Sequence, residues 1–176
     1  MKFNFTLIFL FACVVMPLKG LYAQEEEVKG TGLSSAFDFW LGEWELHWMN
    51  ADSSYTYGEN NIVKILDGNV IQENFYDSSS GFKGMSLSVF SLADSSWHQA
   101  WADNAGGYFD FYGIIDEDKR IFQTRPTIRK GVEIIQRMVF LDIAENNFIW
   151  NWEISNDNGQ TWTLNWQIFY ERKMEE

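Results

Sequence analysis

From Trp44 to Arg172 the chain alternates apolar and polar residues in short runs, broken by turn-forming residues every 8–12 positions. Period two along a run places alternate side chains on opposite faces of a strand. The first run, about Trp44 to Met49, shows it plainly: Trp44, Leu46 and Trp48 share one face, Glu45 and His47 the other. Strands are then predicted at about 58–66, 70–76, 82–91, 96–103, 107–115, 120–125, 132–143, 148–155 and 161–172. Asp67-Gly68-Asn69 marks a tight hairpin, because Asp-Gly accepts the positive φ angles such turns demand. Ser78–Gly81, Asn104–Gly106, Asp116–Lys119 and Glu145–Asn147 mark others, and Pro126 ends a strand.

No run is long and periodic enough for a helix of three turns. Short connections favour antiparallel neighbours. About ten such strands in chain order leave two bare edges unless the sheet closes, so an all-β, up-and-down antiparallel barrel is the expected fold, with a β-sandwich as the alternative. Ten strands make a wider barrel than eight, with room inside for a ligand. Ahead of the strands, Phe37-Asp38-Phe39-Trp40-Leu41-Gly42-Glu43-Trp44 packs four aromatics into eight residues. That density suits a short helical turn closing one barrel end, with Gly42 releasing the chain into the first strand.

The N-terminal residues predict export. Lys2, the apolar run Phe3–Met16 and a small residue, Ala23, ahead of Gln24 and three glutamates read as a signal peptide over 1–23. The Leu10–Cys13 stretch makes a poorer lipoprotein signal. Residues 24–36 read as a disordered leader and 37–174 as the barrel domain. Cys13 is the single cysteine, so a chain cut after Ala23 has no disulfide, thiol nucleophile or thiolate metal ligand. A formal charge of −12 argues against nucleic acid and against anionic membrane as partners, and no insertion into a membrane is expected after cleavage. The expected location is periplasmic or extracellular.

The Phe37–Trp44 stretch resembles the opening of the DUF1579 family of bacterial proteins, which belong with the lipocalin-like (calycin) barrels. Ile71–Phe75, Trp97–Asn104 and the end from Trp150 to Lys173 add to the resemblance, which spreads over nearly all of the expected mature chain. It implies a fold and carries no settled activity. Gly42-Glu43-Trp44 is similar to the Gly-x-Trp of lipocalins. There the Trp crosses the barrel base beneath a basic residue, a part Arg172 or Lys173 would take here. A related barrel class holds haem through a late His. This chain has no His after His98, so that ligand has no counterpart and no cofactor or metal is implied.

Candidate chemistry sits in single polar residues among aromatics. Trp97, Gln99, Trp101 and Asp103 share a face and form a pocket wall if that face turns inward. The alternative assigns Asp103 to the turn and Gln99 to water. Glu73 shares a face with Ile71 and Phe75, Arg137 with Ile135, Val139 and Leu141, and Glu153 with Ile149 and Asn151. Turned inward, each needs a partner, and Arg137 and Glu153, on consecutive strands, could pair. The alternative gives the core Met138, Phe140, Trp150 and Trp152. Ser155–Trp162 resembles a single Asp-box hairpin, which serves as a structural turn. His47 and His98 lack ligand-like spacing. The leading expectation is a binding barrel for a small, partly apolar molecule, with Glu73, Gln99, Trp101, Asp103, Arg137, Trp150 and Glu153 as ligand-binding residues. A hydrolase or isomerase using Glu73 or Asp103 as general base, and a structural barrel with a filled interior, are the alternatives.

Overall fold

The structure is a computed structural model that describes residues 32–174. A 3₁₀ turn (Asp38–Trp40) leads into β1 (Gly42–Met49), β2 (Tyr55–Ile65), β3 (Val70–Asp77), β4 (Lys83–Ser91), β5 (Ser96–Asp103), β6 (Tyr108–Asp116) and β7 (Lys119–Thr124). A three-residue strand, β8 (Thr127–Arg129), precedes β9 (Val132–Leu141), β10 (Asn147–Ser155) and β11 (Thr163–Arg172). Each strand pairs antiparallel with its neighbour from β1 to β7, then β7 pairs β9, β9 pairs β10, β10 pairs β11, and β11 returns to β1. The result is a closed, ten-stranded antiparallel barrel, as the alternation predicts, and not a sandwich. β8 stands outside it, paired only with β9. All three β8 residues are exposed, so no alternation marked them in the sequence.

One end, the base, is packed solid by the 37–44 stretch. Phe37 and Trp40 have no exposed surface; Phe37 stacks on Phe122 with ring centroids 4.3 Å apart, and Trp40 meets Phe140 edge-on at 5.1 Å. Gly42, at φ 126°, turns the chain into β1 in a conformation that a side chain would strain, and an added Cβ would also run into the Arg172 guanidinium. That guanidinium lies 4.1 Å from the centre of the Trp44 ring. It donates to the Leu41 carbonyl at 2.8 Å, and its Nε donates to the Glu145 carbonyl at 2.9 Å. Trp44 Nε1 in turn donates to the Trp40 carbonyl at 2.8 Å. Of the two basic residues that the lipocalin resemblance allows over this Trp, Arg172 fills the position.

The signal peptide expected over 1–23 lies outside the described residues, as does most of the leader expected over 24–36. The leader's last part belongs to the folded end: Ala36 is buried, its carbonyl accepts from Arg120 Nε at 3.0 Å, and the Leu33 carbonyl accepts from Trp97 Nε1 at 2.7 Å. Leu33–Ala36 therefore pack against the barrel ahead of the expected boundary at Phe37.

Candidate functional site

Above the packed base the barrel holds a cavity of about 180 Å³. β10 contributes Trp150 and Trp152, β11 contributes Trp166 and Ile168, β6 contributes Phe109 and Phe111, and β9 contributes Met138. Phe75, Phe82 and Trp101 complete the aromatic wall, and Glu73 and Asp103 are its ionisable members. Trp150 and Trp152 lie parallel with centroids 6.3 Å apart, Trp166 meets Trp150 edge-on at 5.6 Å, and Phe109 meets Trp152 edge-on at 5.4 Å. Edge-to-face contacts of this kind favour defined ring positions, by roughly 0.5–1.5 kcal/mol each.

Glu73 sits midway along β3, where the packed base gives way to the cavity, and is 4% exposed. Its register explains its partners. Ser86 on β4 lies directly opposite and donates its hydroxyl to Oε2 at 2.6 Å. Asn60 on β2, two residues along from Glu73's partner Ile62 and so on the same face, donates Nδ2 to Oε1 at 2.8 Å. The same Nδ2 lies 3.1 Å from the Tyr170 hydroxyl. Burial pushes the Glu73 carboxyl from its ordinary 4.5 up to about 7, against the pull of the Ser86 and Asn60 hydrogen bonds. Burial, reinforced by the Glu73 charge, holds the Tyr170 phenol well above its usual range.

Asp103 occupies the mouth. It is both a turn residue and a wall residue: Oδ1 accepts the backbone N–H groups of Ala105 and Gly107 at 3.0 and 2.8 Å, while Oδ2 accepts Trp101 Nε1 at 3.1 Å. Burial raises its pKa, but the hydrogen bonds from Gly107, Trp101 and Ala105 outweigh that and hold the carboxyl below the usual carboxylate range. Trp101 lies across Gly84, where any side chain would collide with the indole, so the glycine is what lets this ring lie along the wall.

The Trp97–Asp103 face points inward, with Trp97 and Gln99 buried and Ala100 and Ala102 exposed. Gln99, 1% exposed, donates to Ser88 Oγ at 2.9 Å and lies outside the cavity lining. Glu73, Trp101, Asp103 and Trp150 thus share the cavity wall.

Arg137 and Glu153 do not share it. They are cross-strand partners beside the inward pair Met138 and Trp152, and so face outward. They pair with each other, Nη2 to Oε2 at 2.7 Å, and the guanidinium lies 3.7 Å from the centre of the Trp162 ring. The expectation of Arg137 and Glu153 as interior ligand contacts is corrected accordingly. The loop that carries Trp162 is the Asp-box-like hairpin: Asp157 accepts the Thr161 N–H at 2.9 Å and the Ser155 hydroxyl at 2.7 Å. Both histidines are likewise outside. His47 stacks on Phe169 at 5.0 Å, and His98 Nε2 is 2.8 Å from Asp94.

Asn60, Ser86 and Ser88, all buried in the interior, were not singled out from the sequence. Their signal was register, since each lies on the inward parity of a strand neighbouring Glu73 or Gln99.

The fold and the site together define a closed, ten-stranded antiparallel β-barrel with an aromatic interior cavity. A scan against protein-family models gives no match for this chain, and no curated protein matches its sequence.

Proposed function

We propose that this chain is an exported, lipocalin-like barrel of the DUF1579 kind that binds a small, partly apolar molecule in its upper cavity. The observation that carries the reading is the cavity itself. A barrel built only as a scaffold would fill its interior from end to end, as this one does at the base. Here eight aromatic side chains instead stand around about 180 Å³ of space, with one buried carboxyl at the floor and another at the mouth. Apolar walls with a few placed polar groups are the usual make-up of a small-molecule site. An apolar cavity of roughly 150 Å³ suffices for benzene, so the ligand has about the bulk of one ring or a short branched chain.

A second reading has one observation in its favour. A buried carboxyl titrating near 7 beside one held low is the division of roles that general acid–base catalysis needs. It predicts turnover of a bound molecule that Glu73→Gln abolishes without weakening capture.

Native mass spectrometry of the protein purified from its own source tests the binding reading, followed by mild denaturation and a fragment screen of the emptied barrel. A stoichiometric small molecule released on denaturation, or fragments that bind the emptied barrel, is the expected result. A bare mass together with an empty fragment screen would refute it and favour a purely structural barrel.

A further inference from the structure

The cavity favours one sign of charge. Its walls are mostly aromatic, and the π face of an aromatic ring attracts a positive charge and repels a negative one. Its two ionisable lining groups, Glu73 and Asp103, are both acids. The chain as a whole carries −12, so the field outside also gathers cations.

Glu73 is bonded to two neutral donors, Asn60 and Ser86, and among the described residues it has no ion-pair partner. Each carboxylate oxygen keeps a further acceptor position. The cations that point inward along the strands are engaged at the base. Lys64 pairs with Asp38 at 2.8 Å, Arg120 donates to the Ala36 carbonyl, and Arg172 covers Trp44. A buried carboxylate facing an aromatic cage, with the protein's own cations held elsewhere, is matched by a cation brought from outside.

Resting on the proposal that this cavity binds a small molecule, we infer that its occupant is a small organic cation. It is an ammonium ion of about the bulk of one ring, with its charge on Glu73 and its carbon body against the indoles. Asp103 at the mouth lies on the entry path and adds attraction there.

The same geometry ties affinity to pH. The groups facing Glu73 from neighbouring strands are Asn60 on β2 and Ser86 on β4, which do not titrate, and Tyr170 on β11, which burial keeps protonated. Asp103 on β5 stays ionised. Glu73 is therefore the interior group that changes charge near neutrality, and a cation must displace its proton. Cation affinity should fall about tenfold per pH unit below 7 and level off above about 8.

Calorimetric titration of the purified protein with matched pairs tests the inference. Choline is paired with its carbon isostere 3,3-dimethylbutan-1-ol, and benzylamine with benzyl alcohol, each at pH 8.5 and 5.5. The cation of each pair should bind at least about tenfold tighter at pH 8.5 and lose that advantage at pH 5.5. Glu73→Gln, its fold checked by near-ultraviolet circular dichroism, should erase the preference at both values. The same change at Glu171, exposed on the outer side of β11, should leave the preference in place. Equal binding of both members at pH 8.5 would overturn the cation inference and leave the binding barrel standing. Tighter binding of the alcohols than of their cations at pH 8.5 would overturn it too, making Glu73 a hydrogen-bonding group and not a counter-charge. Silence from all four probes would overturn it, with the fragment screen deciding the binding barrel separately.

Discussion

Replacing Glu73 by Gln should stabilise the protein in mild alkali and do little in acid. The two side chains have the same shape. The Gln carbonyl can accept from Asn60, and its amide can donate to the Ser86 hydroxyl, so the packing survives. What disappears is a titrating group. In the folded chain Glu73 holds its proton up to about 7, whereas in the unfolded chain it releases it near 4.5. Below 4.5 both states are protonated and the carboxyl costs nothing. Between 4.5 and 7 the unfolded chain gives up a proton that the folded chain keeps, so stability drains away as pH rises. Above 7 the loss is complete. At roughly 1.4 kcal/mol per pKa unit, a rise from 4.5 to about 7 amounts to on the order of 3 kcal/mol. Asp94 and Asp157, whose carboxyls are held low by hydrogen bonds, push stability the other way with pH. They do so equally in both proteins and cancel in the difference. Urea unfolding followed by tryptophan fluorescence gives that difference directly. Glu73→Gln should exceed the unmodified protein by about 2–3 kcal/mol at pH 8.5 and by under about 1 kcal/mol at pH 5. A gap that is flat with pH, or one that shrinks as pH rises, would refute the reasoning.

Three further changes probe the rest of the barrel. Arg172→Met removes the cation over Trp44 and its hydrogen bonds to base carbonyls while keeping aliphatic bulk; urea unfolding should show a loss of about 2–4 kcal/mol. Arg137→Met leaves Glu153 half-buried without its partner on the outer face, which should cost about 1–3 kcal/mol in the same assay and leave ligand affinity in the cavity unchanged. Gly84→Ala places a methyl where the Trp101 indole lies; ligand affinity should drop and the Trp101 emission should shift, with only a modest change in the urea midpoint.

The architecture was legible because so much of the chain keeps period two with short turns, and because the aromatic density of 37–44 announces a plug. The site was legible in part. Glu73, Trp101, Asp103 and Trp150 stood out as a lone acid among apolar residues or as a ring on an alternating face. Arg137 and Glu153 stood out for the same reason and misled, because β9 and β10 are apolar on both faces. Inward there are Met138 and Phe140; outward there are Ile135 and Val139, also buried, with Trp162 from the 156–162 loop lying over Arg137 on that side. Alternation cannot choose a face when both are covered. β4 inverts the usual rule outright. Met85, Leu87 and Val89 face out, exposed, while Gly84, Ser86 and Ser88 face in. The inward set makes sense only across strands. Gly84 makes room for Trp101, Ser86 serves Glu73, and Ser88 serves Gln99. Pairings between distant residues of that kind become visible once register is known.

The indole N–H resonances of the protein, followed by nitrogen-resolved NMR during a ligand titration, test the central claim most directly. Trp101, Trp150, Trp152 and Trp166 line the cavity, whereas Trp40 and Trp44 lie in the base and Trp162 on the outside. A bound ligand should move the first four together, saturating at one equivalent, and leave Trp40, Trp44 and Trp162 in place. Saturable shifts confined to Trp162 or the base, with the four cavity indoles unmoved, would contradict the account.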